Sequence, residues 1–596
     1  MTIAEARLSA APLPNVARPT TVVSALVQML ESLGVREAFG VSGGAMAAFW
    51  DALSSSALEV YHFRHETGAA FAAIEAGFAS GRPTALFTTT GPGLTNALTG
   101  IVAARDERAR LIVVSACTIA ASRGRFAIQE TSPITLPPSL YESGRPFHFA
   151  SVVDDPAQLA ALEDNLATGL RSRTGFVAHV ALDTAVQRAP ATLAAASSAL
   201  RTEFDFQSRD PSPSDSPAAE APSPADIAVC VDALKDGRFA IWVGHGARNA
   251  ATEIATLARG MQVPVMCSPR GKGIFPEDDP LFVGVTGLAG HASVMHCLAE
   301  FRPRRVLVLG SRLGEPTSFW DPRFIMPWGF VHVDLDPAVP GVAFGAAPTL
   351  AIVADVAATL RAVLAELPFS SGGGVPEFPR PRIERVGQRA DGLVRPEALM
   401  DAIQRWVVDT SEATVLAESG NSFLWTTHRL KFAKPHRYRI STGVGAMGHA
   451  AAGVVGAALA SGRRAVAVVG DGALLMNNEI NTAVKFRAPA VWVVLNDGRY
   501  GMCAQGMEAL GLSADAEFPQ VDFAAFARAQ GARAKRVDRE TELDAALLEA
   551  MTAEGPFVLD VRIDPRCKAP AARRNAALAA KLSLDGERTF PLRDSA

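Results

Sequence analysis

The chain has 596 residues, of which 48% are hydrophobic and 20% are charged, and its formal net charge is -4. This length is too great for one hydrophobic core and predicts about three or four domains. The slight negative charge excludes the strongly basic surface typical of nucleic-acid and anionic-membrane binding, and no apolar stretch reaches the length of a membrane span, so we expect neither partner.

Two stretches break the pattern of the chain and predict its division into domains. "SRDPSPSDSPAAEAPSPAD" (Ser208–Asp226) and "SSGGGVPEFPRPRIERVGQ" (Ser370–Gln388) are rich in proline, serine or glycine and offer little for a core to bury, which is typical of linkers. We therefore predict an N-terminal domain over residues 20–190, a linker over 191–225, a middle domain over 226–368, a linker over 369–395, a C-terminal domain over 396–566 and a tail over 567–596.

Within each domain, short apolar runs alternate with alanine-rich amphipathic stretches. Examples of the runs are "RLIVVSA", "RVLVLG" and "VWVVLND", one from each domain in chain order. This alternation indicates parallel strands that are covered by helices on both faces, so we predict an α/β protein with three doubly wound parallel sheets. The tail contains "RCKAPAARRNAALAAKL", which predicts a basic helix on the surface.

The cysteines and the first residues indicate the compartment. Six cysteines lie far apart with no C-x-x-C pair, which favours reduced and mostly buried thiols over a disulfide or metal framework. The first nineteen residues carry no apolar segment of the kind that signal peptides require. We therefore expect a cytoplasmic enzyme.

Two strand-like runs in the C-terminal domain end in polar residues, Gly470-Asp471-Gly472 and Asn496-Asp497-Gly498. Ligands of open parallel sheets bind beyond the carboxyl ends of the strands. Carboxylate and amide oxygens suit Mg²⁺, which commonly shares its coordination shell with phosphate oxygens, so these tips favour a metal-bridged diphosphate. Two ordinary polar turns remain the alternative on this stretch alone. The G-x-G-x-x-G and G-x-x-x-x-G-K-[ST] nucleotide motifs do not fit.

The Gly-Asp-Gly stretch and its surroundings resemble the thiamine diphosphate enzymes, and in particular acetohydroxyacid synthase and its relatives. "RHETGAAFAAIEAGFASGRPTALFTTTGPGLTNALTGIVAA" and "FGVSGGAMAAFWDAL" are similar to their first domain, "CSPRGKGIFPEDDPLFVG" and "HVDLDPAVPG" to their middle domain, and "STGVGAMGHAAAGVVGAALA" to the stretch before Gly-Asp-Gly. The resemblance implies a pyrimidine-binding domain, a middle domain and a diphosphate-binding domain, with thiamine diphosphate and Mg²⁺ as cofactors.

The resemblance also implies the main chemical roles. Glu66, in its R-H-E-x-G-A setting, corresponds to the glutamate that hydrogen-bonds N1′ of the aminopyrimidine and assists removal of the C2 proton. Asp471 is expected to bind Mg²⁺, with Asp497 as the second ligand and the backbone carbonyl of Arg499 as the third. Aspartate replaces the asparagine of the family at position 497, and Asn496 is the alternative ligand if the turn shifts by one residue.

The other implied contacts surround the bent cofactor. Leu424 lies beneath its bend, and Tyr500 and Met502 line the region of the second substrate. Candidates for the diphosphate and aminopyrimidine contacts are Asn421, Ser422, Gly445, Met447, Gly470, Gly472, Ala473 and Leu474. Because the family builds each site between the first domain of one subunit and the third domain of another, we expect a homodimer or homotetramer.

The expected reaction is decarboxylation of a 2-oxo acid followed by ligation to a carbonyl acceptor. Gln129 in "RGRFAIQETSP" resembles an element of the carboligating synthases, and Gly506 replaces a tryptophan that helps to select the acceptor, so we expect a wider apolar pocket there. His291 is a candidate acid-base group or an ordinary structural histidine. A non-ligating decarboxylase, a catalytically silent scaffold homologue and a flavin-dependent oxidase are the alternatives, and the sequence leaves open whether FAD binds.

Overall fold

A computed structural model of the chain describes residues 20–191, 221–367 and 376–582. Residues 1–19, most of the first predicted linker (192–220), the beginning of the second (through residue 375) and the end of the tail (583–596) lie outside these described residues. The described residues form three six-stranded sheets, and every strand pair in them is parallel. The prediction of three doubly wound parallel sheets is confirmed.

The N-terminal sheet has the strand order β2-β1-β3-β4-β6-β5. Its strands are β1 (Glu37–Val41), β2 (Glu59–His62), β3 (Thr84–Thr88), β4 (Arg110–Cys117), β5 (Phe149–Val153) and β6 (Phe176–Asp183). Its helices are α1 (Val22–Ser32), α2 (Ala47–Ser54), α3 (Glu66–Ser80), α4 (Pro92–Glu107) and α5 (Leu159–Leu170). The strands β3 and β6 are buried along their whole length, which explains why most of their residues are apolar.

The middle sheet has the strand order β12-β11-β10-β7-β8-β9. Its strands are β7 (Phe239–Val243), β8 (Val265–Cys267), β9 (Phe282–Val285), β10 (Arg305–Leu309), β11 (Phe330–Asp334) and β12 (Thr349–Val353). Its helices are α6 (Pro224–Lys235), α7 (Ala251–Met261), α8 (Ala292–Phe301), α9 (Glu315–Ser318) and α10 (Val356–Glu366). Read from β9, the order is 3-2-1-4-5-6, which is the order of dinucleotide-binding folds.

The C-terminal sheet has the strand order β14-β13-β15-β16-β18-β17. Its strands are β13 (Thr414–Ala417), β14 (Tyr438–Ile440), β15 (Ala465–Gly470), β16 (Ala490–Asn496), β17 (Arg533–Val537) and β18 (Phe557–Arg562). Its helices are α11 (Pro396–Ile403), α12 (Asn421–Arg429), α13 (His449–Ser461), α14 (Asp471–Met476), α15 (Ile480–Phe486), α16 (Gly501–Ala509), α17 (Phe523–Ala529) and α18 (Leu543–Thr552). The tail adds α19 (Ala572–Leu582), as predicted.

The strand orders determine where crevices open. The N-terminal and C-terminal sheets share one order, and in each the direction of winding reverses between the first and third strands. In the C-terminal sheet this switch point lies between β13 and β15, and in the middle sheet it lies between β7 and β10. Ligands of doubly wound sheets bind beyond the carboxyl ends of the strands at such switch points.

The helices α3 and α13 join the N-terminal and C-terminal domains through closely packed small residues. They share one hydrophobic core, and Gly456 leaves room for the backbone of Ala72. Within this contact the Glu75 carboxylate accepts hydrogen bonds from Arg439 at 2.8 and 2.9 Å and contacts His449 at 3.0 Å. Although burial opposes ionisation, the Arg439 guanidinium holds the pKa of Glu75 well below its usual value.

The described residues contain no helix that is long and apolar enough to cross a membrane. The cytoplasmic location stays a prediction.

Candidate active site

Asp471 and Asp497 lie at the ends of neighbouring strands, β15 and β16, and the structure brings the two tips together. One carboxylate oxygen of Asp471 accepts the backbone N–H of Asp497 at 3.0 Å and that of Gly498 at 2.6 Å. The other accepts the N–H of Gly472 at 2.8 Å. The carboxylate is therefore fixed at the carboxyl edge of the sheet, next to the switch point.

Two buried carboxylates share this edge. Burial and the nearby charge of Asp497 together raise the pKa of Asp471 to about 7, although the backbone N–H groups that it accepts lower it. Burial also raises the pKa of Asp497, while the Arg499 guanidinium, which donates to its carboxylate at 3.0 Å, opposes this. Two negative charges that are close together and buried from water destabilise the folded protein unless a cation binds between them. The pair of carboxylates is therefore chemically suited to a hard divalent metal ion.

The neighbouring Asn496 is engaged elsewhere. Its amide donates to the carbonyl of Val521 at 2.9 Å and to the carboxylate of Asp560 at 2.8 Å, and it accepts from Gln520 at 3.1 Å. The side chain is fully buried. Asn496 thus supports the loop and helix beyond β16, and in this geometry both ends of its amide have partners.

Several predicted cofactor contacts surround the acidic pair. Asn421 begins α12 after β13, and its Oδ1 atom is buried without a hydrogen-bond partner among the described residues. Its Nδ2 atom lies 2.9 Å from the position of a Cβ on Gly501, and an Asp497 oxygen lies 3.4 Å from the same position. A Cβ on Gly472 would lie 2.7 Å from the Tyr500 ring and 3.6 Å from the Met447 methyl group. These side chains therefore form one cluster.

Open space lies beside three glycines of the C-terminal domain. No atom stands within 4 Å of the Cβ position of Gly420, Gly445 or Gly470, although Gly420 and Gly470 precede residues of the cluster. The backbone at these three points is therefore open to approach by a ligand without interference from a side chain.

The remaining predicted residues have ordinary structural contacts. The Ser422 hydroxyl donates to the carbonyl of Glu418 at 2.9 Å, and Leu424 is fully buried in the core of the C-terminal domain. Ala473 and Leu474 are buried in α14. The carbonyl of Arg499 accepts the N–H of Gly501 at 2.9 Å, and Met502 is partly buried.

The N-terminal domain carries a second cluster. Glu66 is the first residue of α3 and is buried, and its carboxylate accepts a hydrogen bond from Asn96 of α4 at 3.1 Å. Gln129 lies in the exposed loop after β4 and packs against Gly91, with its Oε1 atom 3.5 Å from the Thr90 hydroxyl. Between this cluster and the Asp471–Asp497 pair, no hydrogen bond or ion pair is formed by the described residues.

Two buried glutamates beside the site, Glu479 and Glu418, were not among the residues predicted from the sequence. Glu479 accepts the backbone N–H groups of Arg64 and His65 at 3.2 Å each, and burial raises its pKa to about 7. Glu418 follows β13, accepts the N–H groups of Ser419 and Ala451, and also has a pKa raised to about 7 by burial. Glu418 directly follows an apolar strand, which could have indicated a buried acid. Glu479 lies among asparagines, and no local pattern indicates its burial.

His291 joins the middle domain to the C-terminal domain. Its Nδ1 atom accepts the N–H of Val285 at 3.0 Å, and its Nε2 atom lies 2.9 Å from the carbonyl of His428. Burial lowers the pKa of His291 well below its usual value. Both ring nitrogens are therefore engaged by backbone groups, as in a structural histidine, and its acid-base role stays a prediction.

The structure corrects the expectation of an open apolar pocket at Gly506. Gly506 is buried, and a Cβ placed on it would lie 2.7 Å from the Nη1 atom of Arg574 in α19. The same nitrogen donates to the carbonyl of Met502 at 3.3 Å. The tail helix therefore fills the space beside Gly506 with a cation, and it is not simply solvated as its composition suggested.

A large cleft of about 2040 Å³ opens beside the switch point of the middle sheet. Gly246 after β7 and Gly310 after β10 approach so closely that a Cβ on Gly246 would lie 2.9 Å from the Cα of Gly310. The walls are rich in cations and include Arg108, Arg173, Arg248, Arg270, Arg312 and Arg439. Burial, together with the nearby charges of Arg439 and Arg270, lowers the pKa of Arg248 to about 10.

The cleft contains polar groups without partners. The Nε2 atom of His245 is buried and has no hydrogen-bond partner among the described residues. Within the same part of the chain, no carboxylate forms an ion pair with Arg248, whereas the other five arginines of the walls each pair with at least one carboxylate. Such a surface is suited to an anionic ligand with several phosphate oxygens.

Within residues 20–191, 221–367 and 376–582, no three His, Cys, Asp or Glu side chains are grouped so as to hold a metal ion. A metal at the Asp471–Asp497 edge would therefore need oxygen atoms from the backbone, a ligand or water.

Comparison with known proteins identifies all three domains. Residues 20–136 match the model of the thiamine pyrophosphate enzyme N-terminal TPP binding domain, residues 228–363 match the central domain, and residues 418–561 match the C-terminal TPP binding domain. Thiamine pyrophosphate is thiamine diphosphate under another name.

Curated relatives match along almost the whole chain. A probable acetolactate synthase 2, chloroplastic, of Oryza sativa is 30% identical over 563 residues, which cover 90% of this chain and 82% of the relative. A probable acetolactate synthase large subunit of Methanocaldococcus jannaschii is 27% identical over 565 residues, covering 91% of each protein. The acetolactate synthase isozyme 1 large subunit of Escherichia coli is 27% identical and covers 90% of this chain and 93% of the relative.

Proposed function

The chain belongs to the acetolactate synthase-like thiamine pyrophosphate enzymes, and from this premise we propose that it decarboxylates a 2-oxo acid and joins the remaining acyl group to a carbonyl acceptor. The proposal is supported mainly by Asp471 and Asp497, which meet at one edge of the C-terminal sheet. Glycines beside them have no neighbouring atoms at their Cβ positions. This edge has the oxygen ligands and the room that a metal-bridged diphosphate needs.

The residues of this edge fit thiamine diphosphate with Mg²⁺. Asp471 and Asp497 would bind the metal ion, with the carbonyl of Arg499 as a third protein oxygen. The choice of Asp497 over Asn496 is supported by the hydrogen bonds that occupy the Asn496 amide. The partnerless amide oxygen of Asn421 and the open backbone at Gly470 support contacts to the diphosphate or its metal shell.

When bound, thiamine diphosphate supplies an electron sink that allows a 2-oxo acid to lose CO₂ and its acyl group to be transferred. The chain supplies the proton transfer and the positioning. Glu66, buried and held by Asn96, would hydrogen-bond N1′ of the aminopyrimidine. Met447 and the open backbone at Gly445 would hold the same ring, and Gln129, Tyr500 and Met502 would face the reacting carbon and its acceptor.

Two chains are needed to complete one site in this proposal. Glu66 and Gln129 form one cluster, Asp471 and Asp497 form the other, and the described residues join the two clusters by no hydrogen bond or ion pair. Apolar side chains next to both clusters are exposed: Phe126 and Ile128 beside Gln129, and Leu475 and Met476 at the end of α14. A second copy of the chain would cover these groups and bring Glu66 to the metal edge.

Mixing two inactive variants tests the shared site. In a heterodimer of Glu66→Gln and Asp471→Ala chains, one site receives both substitutions and the other receives none. If the subunits exchange freely, activity should return to about a quarter of the wild-type value. Activity that stays at the level of the separate variants, in a sample shown to contain heterodimers, would contradict a site between subunits.

The middle domain is proposed to bind FAD or a similar dinucleotide. The 3-2-1-4-5-6 strand order, the close glycines at its switch point and the arginine-rich cleft fit a diphosphate-bearing ligand. Arg248 and Arg312 would hold the phosphates. Purified protein should release a flavin on denaturation, and Arg248→Ala should lose it. A colourless protein that takes up no added FAD would contradict FAD binding by the middle domain.

Product analysis tests the reaction itself. The protein is incubated with Mg²⁺, thiamine diphosphate and single 2-oxo acids, with and without an added carbonyl acceptor. We expect a product whose mass equals the two carbonyl compounds minus CO₂. Aldehyde as the sole product would favour a non-ligating decarboxylase, and no turnover of any 2-oxo acid would favour a silent homologue.

A further inference from the structure

The turn that follows β8 lies beside the turn at the switch point of the middle sheet. The strands β7 and β8 are paired in parallel and end level with each other at Val243 and Cys267. Arg270 comes three residues after β8, and a Cβ on the next residue, Gly271, would lie 2.6 Å from the carbonyl oxygen of Val243. Arg270 and Gly246 both line the large cleft. Arg270 is therefore placed next to the turn at which the proposed dinucleotide would bind.

The residue type at this place distinguishes classes of nucleotide. In dinucleotide-binding folds, a carboxylate that follows the first βα turn accepts hydrogen bonds from the ribose hydroxyl groups, whereas an arginine nearby accommodates a phosphate on that ribose. Here β8 is followed by Ser268, Pro269 and Arg270, with no carboxylate among them. Ser268 and Arg270 both line the cleft. This arrangement fits a nucleotide whose ribose is phosphorylated.

Arg270 keeps hydrogen-bonding capacity in spite of its ion pair. Its Nη2 atom lies 2.5 Å from a carboxylate oxygen of Glu107. The contact has the distance of an ion pair but not the alignment of a hydrogen bond, and the Nε and Nη2 atoms of Arg270 have no hydrogen-bond partner among the described residues. Buried N–H groups without partners destabilise the folded protein unless a ligand or water accepts from them. The guanidinium can therefore donate to a phosphate oxygen while its charge stays paired with Glu107.

The cleft concentrates positive charge. Thirteen lysines and arginines line it, against seven aspartates and glutamates, although the whole chain has a net charge of -4. Arg248 pairs with no carboxylate of the described residues, and it lies close enough to Arg270 and Arg439 for their charges to lower its pKa. A phosphate on the ribose adds about two negative charges to those of a diphosphate. This excess of cations favours a ligand with phosphate groups at more than one position.

We propose that the cleft contains a subsite for a phosphate group on the ribose of an adenine nucleotide, and that Arg270 binds this phosphate. The inference rests on the proposed binding of a diphosphate-bearing nucleotide by the middle domain. Arg248 and Arg312 would hold the diphosphate, and Arg270 would hold the ribose phosphate. FAD has no phosphate on its ribose and would leave the subsite empty, so a nucleotide that carries one should bind more tightly than its counterpart without it.

Two pairs of nucleotides that differ only in the ribose phosphate test the subsite. NADP⁺ carries a 2′-phosphate that NAD⁺ lacks, and coenzyme A carries a 3′-phosphate that dephospho-coenzyme A lacks. Their dissociation constants are measured by calorimetry on the full-length protein after removal of any bound flavin, with FAD as the reference. In at least one pair the phosphorylated member should bind about tenfold to a hundredfold more tightly, the usual effect of charged hydrogen bonds. The pair that shows the preference identifies the position of the phosphate.

The main variant removes both charges of the buried pair, because loss of Arg270 alone would leave Glu107 unpaired. Arg270→Gln combined with Glu107→Gln should abolish the preference and leave binding of the unphosphorylated member close to wild type. Arg248→Ala should weaken both members of a pair alike, because it removes a contact to the diphosphate that they share. Arg259→Gln, which breaks the ion pair of an exposed arginine with Asp279, is the control and should change neither affinity.

The outcomes separate the subsite from the nucleotide site as a whole. Equal affinities within both pairs, in a wild-type protein that binds FAD, would overturn the ribose-phosphate subsite and leave the proposed dinucleotide site in place. A preference that survives in the double variant would overturn the role of Arg270. A wild-type protein that binds none of these nucleotides would overturn the proposed dinucleotide site and this inference with it.

Discussion

The carboxylate of Glu479 accepts the backbone N–H of His65 at 3.2 Å, and its second oxygen accepts that of Arg64 at the same distance. These are the two residues that precede Glu66. A side chain of the C-terminal domain therefore holds the turn that presents the proposed proton-transfer residue of the N-terminal domain. Thr482 donates a further hydrogen bond to the same carboxylate.

Glu479→Gln should lower turnover about tenfold, because the amide nitrogen cannot accept a hydrogen bond and one of the two backbone N–H groups loses its partner. Burial raises the pKa of Glu479 to about 7, so the wild-type carboxylate becomes protonated as pH falls below 7. The protonated group is a weaker acceptor for the backbone N–H groups of Arg64 and His65. The variant should lack this component of the pH profile. Asn481→Ala, which removes the exposed contact to the Arg64 side chain and a hydrogen bond to the Gln530 carbonyl but leaves Glu479 in place, is the control. Equal turnover and equal pH profiles in Glu479→Gln and wild type would exclude the positioning role.

Glu66→Gln should retain the fold and bind thiamine diphosphate, but turnover should fall by about two to four orders of magnitude, the usual scale for a proton-transfer group. Asn96→Ala should have a smaller effect, because it removes only the hydrogen bond that orients the carboxylate. Glu59→Gln, at an exposed position on β2, serves as the control. The measurement is kcat at saturating cofactor, and near wild-type turnover in Glu66→Gln would remove Glu66 from the mechanism.

Asp471→Ala should abolish Mg²⁺-dependent binding of thiamine diphosphate, and Asp497→Ala should weaken it at least about tenfold, because each removes a proposed metal ligand. Asn496→Ala should leave cofactor binding closer to wild type and instead lower the melting temperature, since Asp560 and Val521 lose a buried partner. Cofactor titration and thermal unfolding are measured on the same samples. If Asn496→Ala weakens cofactor binding more than Asp497→Ala does, the metal ligand is Asn496 and not Asp497.

Glu418 gives a prediction for the pH dependence of stability. Its pKa is raised by burial to about 7 and is about 4.3 in an unfolded chain, so the folded state holds a proton that the unfolded state releases between these values. Its contribution to the free energy of unfolding is therefore fully present below pH 4.3 and is lost as pH rises through 7. Glu418→Gln cannot titrate, so its stability relative to wild type should rise over this range by on the order of 3 kcal/mol. Denaturant unfolding at pH 5 and pH 8 checks this, and a difference independent of pH would contradict it.

The sequence predicted the sheets because their central strands are buried on both faces and read as apolar runs, as β16 does. It also predicted that the tips at Asp471 and Asp497 would meet, because parallel strands end at one edge of a sheet. These inferences need only local pattern and the geometry of parallel sheets.

Contacts between distant segments could not be predicted in this way. Glu479 and His65 are 414 residues apart, and no local pattern links them. Arg574 lies in a tail whose basic, alanine-rich composition indicates a surface helix but not the face of α16 that it covers. The expectation of an apolar pocket at Gly506 was wrong for this reason, since the residue that fills the space comes from another part of the chain.

The proposed reaction couples decarboxylation of a 2-oxo acid to formation of a carbon–carbon bond. The most direct measurement is the stoichiometry of CO₂ and acyloin in one reaction vessel, with thiamine diphosphate and Mg²⁺ present and Glu66→Gln as the inactive reference. We expect equal amounts of CO₂ and acyloin with the wild-type protein and little of either with Glu66→Gln. CO₂ matched by free aldehyde, or wild-type CO₂ release no faster than that of Glu66→Gln, would contradict it.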